Sequence, residues 1–339
     1  MPYTVTSTEK TTGKAADHET KAMLYLMNFH TGCEDIQFFV IDFFNDVTGI
    51  DALATKALDI QSKASSNLSG KAIGKDLVTL YKNFLSDLKF TDYILFVGGI
   101  SPNGLLDRAL EVFGLDNFNE KYKNAIFTGL KEEALAKTYI DDAKVVDNFI
   151  NEFLSKVIFV ISNKSKAEYV KEIIKVNSSI IVSDDYLESI FNQIRDNQSV
   201  KKNINSEGII INCLNEFHKY KKFLTSDQIK MLVLSRLINK DSMNDILPTS
   251  FTYMLDGRTD RVEFVEECRH AISRMLFDKN NAKAYWRLFE EIYTAIKGNP
   301  QSPVEEIYGM LNEDLLRSIP ALDFNSARFF VALVKDGLG

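Results

Sequence analysis

The run Leu58-Asp-Ile-Gln-Ser-Lys-Ala64 constrains this chain more than any other segment. Side chains alternate across a strand, so Leu58, Ile60, Ser62 and Ala64 project to one face and Asp59, Gln61 and Lys63 to the other. An otherwise buried strand that carries an amide and an ammonium side by side needs a reason, because polar groups taken out of water cost free energy unless they are partnered. Upstream, Asn45-Asp-Val-Thr-Gly-Ile-Asp51 lies at hairpin distance and supplies carboxylates. Carboxylate, amide and lysine on adjacent strands can hold a divalent metal and a nucleophilic water beside a phosphodiester.

The neighbouring segments predict what carries this strand. A helix begins near Asp17, which can cap it, and bears Met23, Leu24, Leu26, Met27 and His30 on an apolar stripe. Thr31-Gly32-Cys33 breaks it. Residues 35–44, dense in β-branched and aromatic side chains, predict a strand. Asp46–Thr48 continues that strand or opens the next, and Gly49 marks a turn. After the polar stretch 65–70, the spacing of Leu77, Leu80, Tyr81, Phe84, Leu85 and Leu88 predicts a helix over 75–88. Residues 93–97 read as a buried strand closed by a tight turn at Gly98-Gly99. Such alternation argues for a mixed sheet with helices packed on it.

Beyond Pro102 the texture turns helical, with amphipathic runs at 105–113, 131–156, 166–176, 184–196, 212–223, 227–239, 261–276, 280–296 and 303–317. Residues 157–161 fit a strand or a helix end, and 196–207 an exposed loop. Lys219-Tyr-Lys-Lys-Phe223 reads as a solvated helix face and Tyr285-Trp286 as core packing. The expected division is a first domain over 1–145 and a helical one over 146–339.

Bulk properties narrow the classes. A length of 339 residues accommodates two domains, and 45% hydrophobic with 26% charged residues is a globular composition. A net charge of −7 does not favour indiscriminate nucleic-acid binding, although local patches and metal ions can neutralise phosphates where needed. Three dispersed cysteines without a CxxC pair support neither a zinc site nor a disulfide framework. The four histidines form no ligand pattern. The polar N-terminus lacks a signal-peptide core, and no apolar run approaches the roughly 20 residues of a membrane span. The expected location is a reducing cytoplasm, away from membranes. No GxxxxGK[ST], GxGxxG or GxSxG motif is present.

Asn45-Asp46-Val47 followed by Asp59-Ile60-Gln61-Ser62-Lys63 resembles the PD-(D/E)xK nuclease superfamily in its D…QxK variant. More narrowly, the layout is similar to the double-stranded-DNA endonuclease domain of bacterial antiphage systems, both the nuclease of cyclic-oligonucleotide signalling (CBASS) and the Lamassu nuclease subunit. The likeness covers roughly the first hundred residues. It implies an α/β protein with a restriction-endonuclease-like αβββαβ core and a mostly α-helical C-terminal domain for regulation or assembly. It also implies that Asp46, Gln61 and Lys63 are catalytic, with Asp46 and the Gln61 amide oxygen holding Mg²⁺ (or Mn²⁺) and Lys63 orienting the attacking water.

Glutamine in place of a carboxylate weakens a metal site, so a third acidic side chain is expected, with Glu19 and Asp51 as candidates. The activity implied is a regulated, metal-dependent DNA endonuclease serving as an antiphage effector. The implied partners are double-stranded DNA with an SMC-like ATPase and a small accessory subunit, or further copies of the chain. The alternative is a non-catalytic interaction or scaffold subunit with a degenerate nuclease fold.

Overall fold

Strand-forming runs rich in Val, Ile and Phe dominate the first hundred residues, and they assemble into one sheet with helices on both faces. The computed structural model describes residues 3–5, 13–174, 183–239, 247–278 and 282–338. The chain opens with a short strand, β1 (Tyr3–Thr4), and helix α1 (Gly13–Asn28). Strands β2 (Ile36–Ile41), β3 (Val47–Asp51) and β4 (Ala57–Lys63) follow, then helices α2 (Gly70–Asp76) and α3 (Val78–Phe84) and strand β5 (Asp92–Val97). Next come β6 (Val112–Phe113), α4 (Glu120–Leu135), α5 (Asp147–Leu154), β7 (Val157–Ile161), α6 (Lys166–Ile174) and α7 (Asp184–Lys202). Two short strands, β8 (Ile210–Ile211) and β9 (Phe223–Thr225), precede α8 (Ser226–Leu237), α9 (Arg261–Phe277), α10 (Ala282–Gly298), α11 (Val304–Gly309), α12 (Glu313–Arg317) and α13 (Phe324–Leu338).

The main sheet has seven strands in the order β6-β7-β5-β4-β3-β2-β9. β4, β5 and β7 run parallel, and the remaining pairs are antiparallel. The long returns that parallel pairing demands are made by α2–α3 between β4 and β5 and by α4–α5 before β7. One face packs on α1: the Phe96 ring meets His18 and Tyr25, and Gly49 of β3 lies against Leu26. The opposite face carries Ala57, Tyr93, Leu95 and Val97 into a core shared with Ile73, Leu80, Tyr81, Ile126 and Phe153. Each such buried aliphatic or aromatic side chain contributes about 1.5–3 kcal/mol.

Two compact units result, Met1–Tyr169 with Asn192–Ser226 and Val170–Phe191 with Asp227–Gly339. Residue 145, expected as a boundary, falls inside the first. The second unit is helical, with Tyr285, Trp286, Phe289 and Phe330 fully buried around α10 and α13. Among the described residues no helix is long and apolar enough to cross a membrane.

Several sequence expectations are corrected. Gly49 is not a turn but the centre of β3: an added Cβ would lie 3.0 Å from the Ile36 side chain and 3.2 Å from Leu26, so the strand passes close beneath α1 there. The hairpin turns later, at 52–55, where Ala54 adopts a positive φ of 52°. The helix expected over 75–88 is two helices meeting at Leu77, and the first starts earlier because the Ser69 hydroxyl accepts from the Ala72 N–H. Residues 105–113 form turns and β6 rather than a helix, and 212–223 form a 3₁₀ turn (Leu214–Tyr220) leading into β9. Phe38 of β2 sits edge-on to Phe217, His218 and Phe223, so aromatic packing holds that segment to the sheet edge. The expected loop at 196–207 is largely the last turns of α7.

Candidate functional site

The β3–β4 register sets the site. Val47 faces Ile60 and Thr48 faces Asp59, and continuing the ladder by one pair brings Asp46 opposite Gln61. Because side chains alternate, Asp46, Thr48, Asp59, Gln61 and Lys63 all leave the sheet on the face covered by α3. The Gln61 Nε2 donates to Asp46 Oδ2 at 2.8 Å, and the Ser62 N–H donates to the same oxygen at 2.7 Å. Lys63 reaches the same cleft, its Nζ 3.9 Å from Asp76 Oδ1. The cleft measures about 310 Å³ and is lined by Asp46, Gln61, Lys63, Thr79, Lys137 and Tyr139 among others.

Thr79 and Asn83 hold this arrangement and are not among the residues expected from the sequence. Thr79 Oγ1 donates to Gln61 Oε1 at 2.7 Å, and Asn83 Nδ2 donates to Asp59 Oδ2 at 2.6 Å. One helical turn from Thr79 to Asn83 rises about 6 Å, close to the roughly 6.6 Å between Gln61 and Asp59 on the strand. The match lets α3 dock on both polar residues of β4 at once. Asp59 is fully buried and also accepts from Thr48 Oγ1 at 2.8 Å and from Asn45 Nδ2 at 3.4 Å. The Phe44 carbonyl accepts from Asn83 Nδ2 at 3.1 Å and from the Tyr3 hydroxyl at 2.9 Å. The segment that delivers Asp46 is thus tied down from two sides. An i,i+4 pair of small polar residues on a helix otherwise apolar toward the sheet was the available cue.

Electrostatics at the site are uneven. Burial, and then the charge of Glu19, push the Asp46 carboxyl up to about 7, while the Ser62 N–H, Lys63 and Lys202 act the other way. Burial raises Asp59 to about 6 against its hydrogen bonds from Asn83, Thr48 and Asn45. Glu19, on α1, is buried and joins Lys202 of α7 through both carboxylate oxygens, at 2.9 and 3.1 Å. It therefore belongs to the electrostatic surroundings of Asp46.

Asp51 does not belong there. It sits at the far end of β3, roughly 16 Å from Asp46 by strand rise. Its carboxylate closes the hairpin by accepting from the Thr55 N–H at 2.7 Å, the Thr55 hydroxyl at 2.8 Å and the Lys56 N–H at 2.8 Å. These bonds hold Asp51 below the usual carboxylate range in spite of its slight burial. The expectation that Asp51 is a third acidic ligand fails because the turn lies four residues later than Gly49.

The donor set determines which metal suits it. Among the described residues no group of three or more His, Cys, Asp or Glu side chains is placed to hold a metal ion. A soft or borderline metal has no ligand set here. Magnesium asks less, needing one or two carboxylates while keeping several waters. Asp46 Oδ2 is committed to Gln61 and Ser62, and among the described residues Oδ1 accepts no hydrogen bond. A half-buried carboxylate with an open oxygen and a raised proton affinity suits a hard cation. Gln61 suits it less directly, because its amide nitrogen, rather than its oxygen, faces Asp46. The amide must turn over to act as a ligand, and the Thr79 hydroxyl can then accept from its nitrogen.

Fold and site together define an α/β protein with a mixed seven-stranded sheet, a polar cleft at the carboxyl end of β4 and a largely helical C-terminal region. No protein-family model, curated protein or solved structure matches the chain.

Proposed function

We propose that this protein is a metal-dependent DNA endonuclease of the D…QxK type, built on a restriction-endonuclease-like core. We further propose that it is an antiphage effector regulated by its helical unit through a protein partner or self-association. One observation carries the reading: Asp46, just ahead of β3, and Gln61 and Lys63 of β4 line a single cleft, with Gln61 bonded to Asp46 at 2.8 Å. The order α1-β2-β3-β4-α2/α3-β5 supports it, as does the position of the three residues where β3 begins and β4 ends.

Asp46 Oδ1, with Gln61 after amide reversal, would hold Mg²⁺ or Mn²⁺. When bound, the ion supplies Lewis-acid polarisation of a phosphate oxygen and lowers the pKa of a water. Lys63, on the same strand face, is within the cleft to orient that water and to offset charge developing on phosphorus. The Ser62 N–H keeps the Asp46 carboxylate from rotating out of the cleft. Double-stranded DNA is the proposed substrate, with an SMC-like ATPase and a small accessory subunit, or further copies of this chain, as partners.

The test is plasmid cleavage in Mg²⁺ or Mn²⁺ with the full chain. Lys63→Ala and Asp46→Ala are each expected to lower the rate at least about a hundredfold, with unchanged circular dichroism. Cleavage that persists in Lys63→Ala rejects the assignment. A second reading, a non-catalytic scaffold on a degenerate nuclease core, draws on the lack of a three-acid cluster among the described residues. It predicts no Asp46-dependent cleavage under any metal or partner condition.

A further inference from the structure

Along one face of β4 the polar side chains are matched one for one by the helices that cover them. Lys63, Gln61 and Asp59 stand at two-residue intervals on the strand, and their partners run the other way along α2 and α3. The Lys63 Nζ lies 3.9 Å from Asp76 Oδ1, Thr79 Oγ1 donates to Gln61 Oε1 at 2.7 Å, and Asn83 Nδ2 donates to Asp59 Oδ2 at 2.6 Å. Asp76, Thr79 and Asn83 follow one another at three and four residues, the spacing that keeps side chains on one helix face. The stripe stays in phase although the helix breaks at Leu77.

The rungs of this ladder differ in their surroundings. Asp59 and Gln61 are buried, whereas the Lys63 and Asp76 side chains are 26% and 23% exposed. The rung that carries two opposite charges is therefore the one nearest solvent, and both of its members line the cleft with Asp46. Lys63 ends β4 on a flexible four-carbon stem. Asp76 has a fixed footing: two residues before it, Gly74 meets the α4 backbone, and Leu77 after it is fully buried.

We propose that Asp76 is the positioning residue of Lys63, its carboxylate holding the ammonium in the cleft where the attacked phosphate and its water are met. The inference rests on the nuclease reading above and adds to it the group that orients Lys63. It places no metal on Asp76. At 3.9 Å the pair is longer than a hydrogen bond, so the attraction does not depend on one bond direction, and a glutamate can supply it.

The experiment is plasmid cleavage by the full chain in Mn²⁺. Asp76→Asn keeps the shape of the side chain and is expected to lower kcat about tenfold, with KM and the half-saturating Mn²⁺ concentration within about twofold of wild type. Asp76→Glu returns the charge and is expected to bring kcat to within about threefold of wild type. Thermal midpoints of both variants should match wild type, because an ion pair between partly exposed side chains adds little to folding. In the Lys63→Ala background, followed with enzyme in excess, adding Asp76→Asn is expected to change the residual rate by less than about twofold.

Equal kcat in wild type and Asp76→Asn, with Lys63→Ala slow, overturns the positioning role alone. A raised half-saturating Mn²⁺ concentration in Asp76→Asn does the same, since it makes Asp76 a metal ligand. So does a further loss when Asp76→Asn is added to Lys63→Ala. A loss in Asp76→Asn that Asp76→Glu does not recover, with a lowered thermal midpoint, makes Asp76 structural and also overturns it. Cleavage that Lys63→Ala leaves intact, or no cleavage by wild type, overturns the nuclease reading and this proposal together.

Discussion

Asp59 and His18 show how single buried groups set opposite responses to acid. The folded pKa of Asp59 is raised to about 6 by burial, so the native state holds its proton more firmly than the unfolded chain. Its contribution to stability is fully present below about pH 4 and is lost as pH rises toward 6, by about 3 kcal/mol. His18 behaves in reverse. Burial lowers it to about 4, outweighing its hydrogen bond to the Phe96 carbonyl. Its contribution is present above about pH 6.5 and fades as pH falls toward 4.

In the wild type these two slopes oppose each other. Asp59→Asn, whose amide can donate to Thr48 and accept from Asn83, removes one of them. Urea midpoints measured from pH 4 to 7 should therefore fall more steeply on acidification in Asp59→Asn than in wild type. An unchanged profile would show that the Asp59 carboxyl is not held neutral in the native state. Asp46, Gln61 and Lys63 were legible as a set because strand alternation alone puts two of them on one face. Asp51 was misplaced because nothing in Val47-Thr-Gly-Ile-Asp51 reveals that its glycine makes room for α1 rather than turning the chain.

At the level of elements, the crossing of α2 and α4 decides where α3 can lie. A Cβ on Gly74 would come 2.1 Å from the Ile126 carbonyl oxygen, and one on Gly129 would come 2.4 Å from that of Lys71. The two helix backbones touch, and glycine is required at both points. An exposed helical Gly→Ala change normally stabilises by about 1 kcal/mol. At Gly74 the sign should reverse, with a loss of about 2–3 kcal/mol from forced separation, read by chemical denaturation. Since α2 leads through Leu77 directly into α3, the same substitution should also shift Thr79 and Asn83 and so reduce the proposed Mn²⁺-dependent cleavage.

Sequence periodicity gave the helices over 75–88 in outline but missed the break, because Leu77, Leu80, Tyr81 and Phe84 keep one apolar phase across it. The failures at 105–113 and 212–223 share a cause. Apolar residues at irregular spacing fall there in turns and short edge strands, which mimic an amphipathic helix when read alone, although Leu106, Leu110 and Val112 stay exposed. The β4 face was legible and its helical partner was not, since the contacts of Gln61 with Thr79 and of Asp59 with Asn83 span 18 and 24 residues and have no shared local period.

For the whole molecule, two units with separate cores predict separable unfolding. Gly337 of α13 offers a counterpart to Gly74, because a Cβ there would fall within 1.8 Å of the Ile238 carbonyl oxygen inside the helical unit. Calorimetry of the full chain should resolve two transitions, with Gly74→Ala lowering one and Gly337→Ala the other. A single transition shifted by both substitutions would mean that the units unfold together.

The two units are interleaved along the chain, since residues 170–191 depart to the helical unit before 192–226 return to complete the sheet unit with β8, β9 and Lys202. No single cut can separate them. Truncation after Tyr169 strips the sheet of an edge strand, and truncation after Ser226 strands a helical segment without its core. A lineage that exchanged the helical unit for another would have to splice at three junctions, so the two parts are expected to be inherited as one piece.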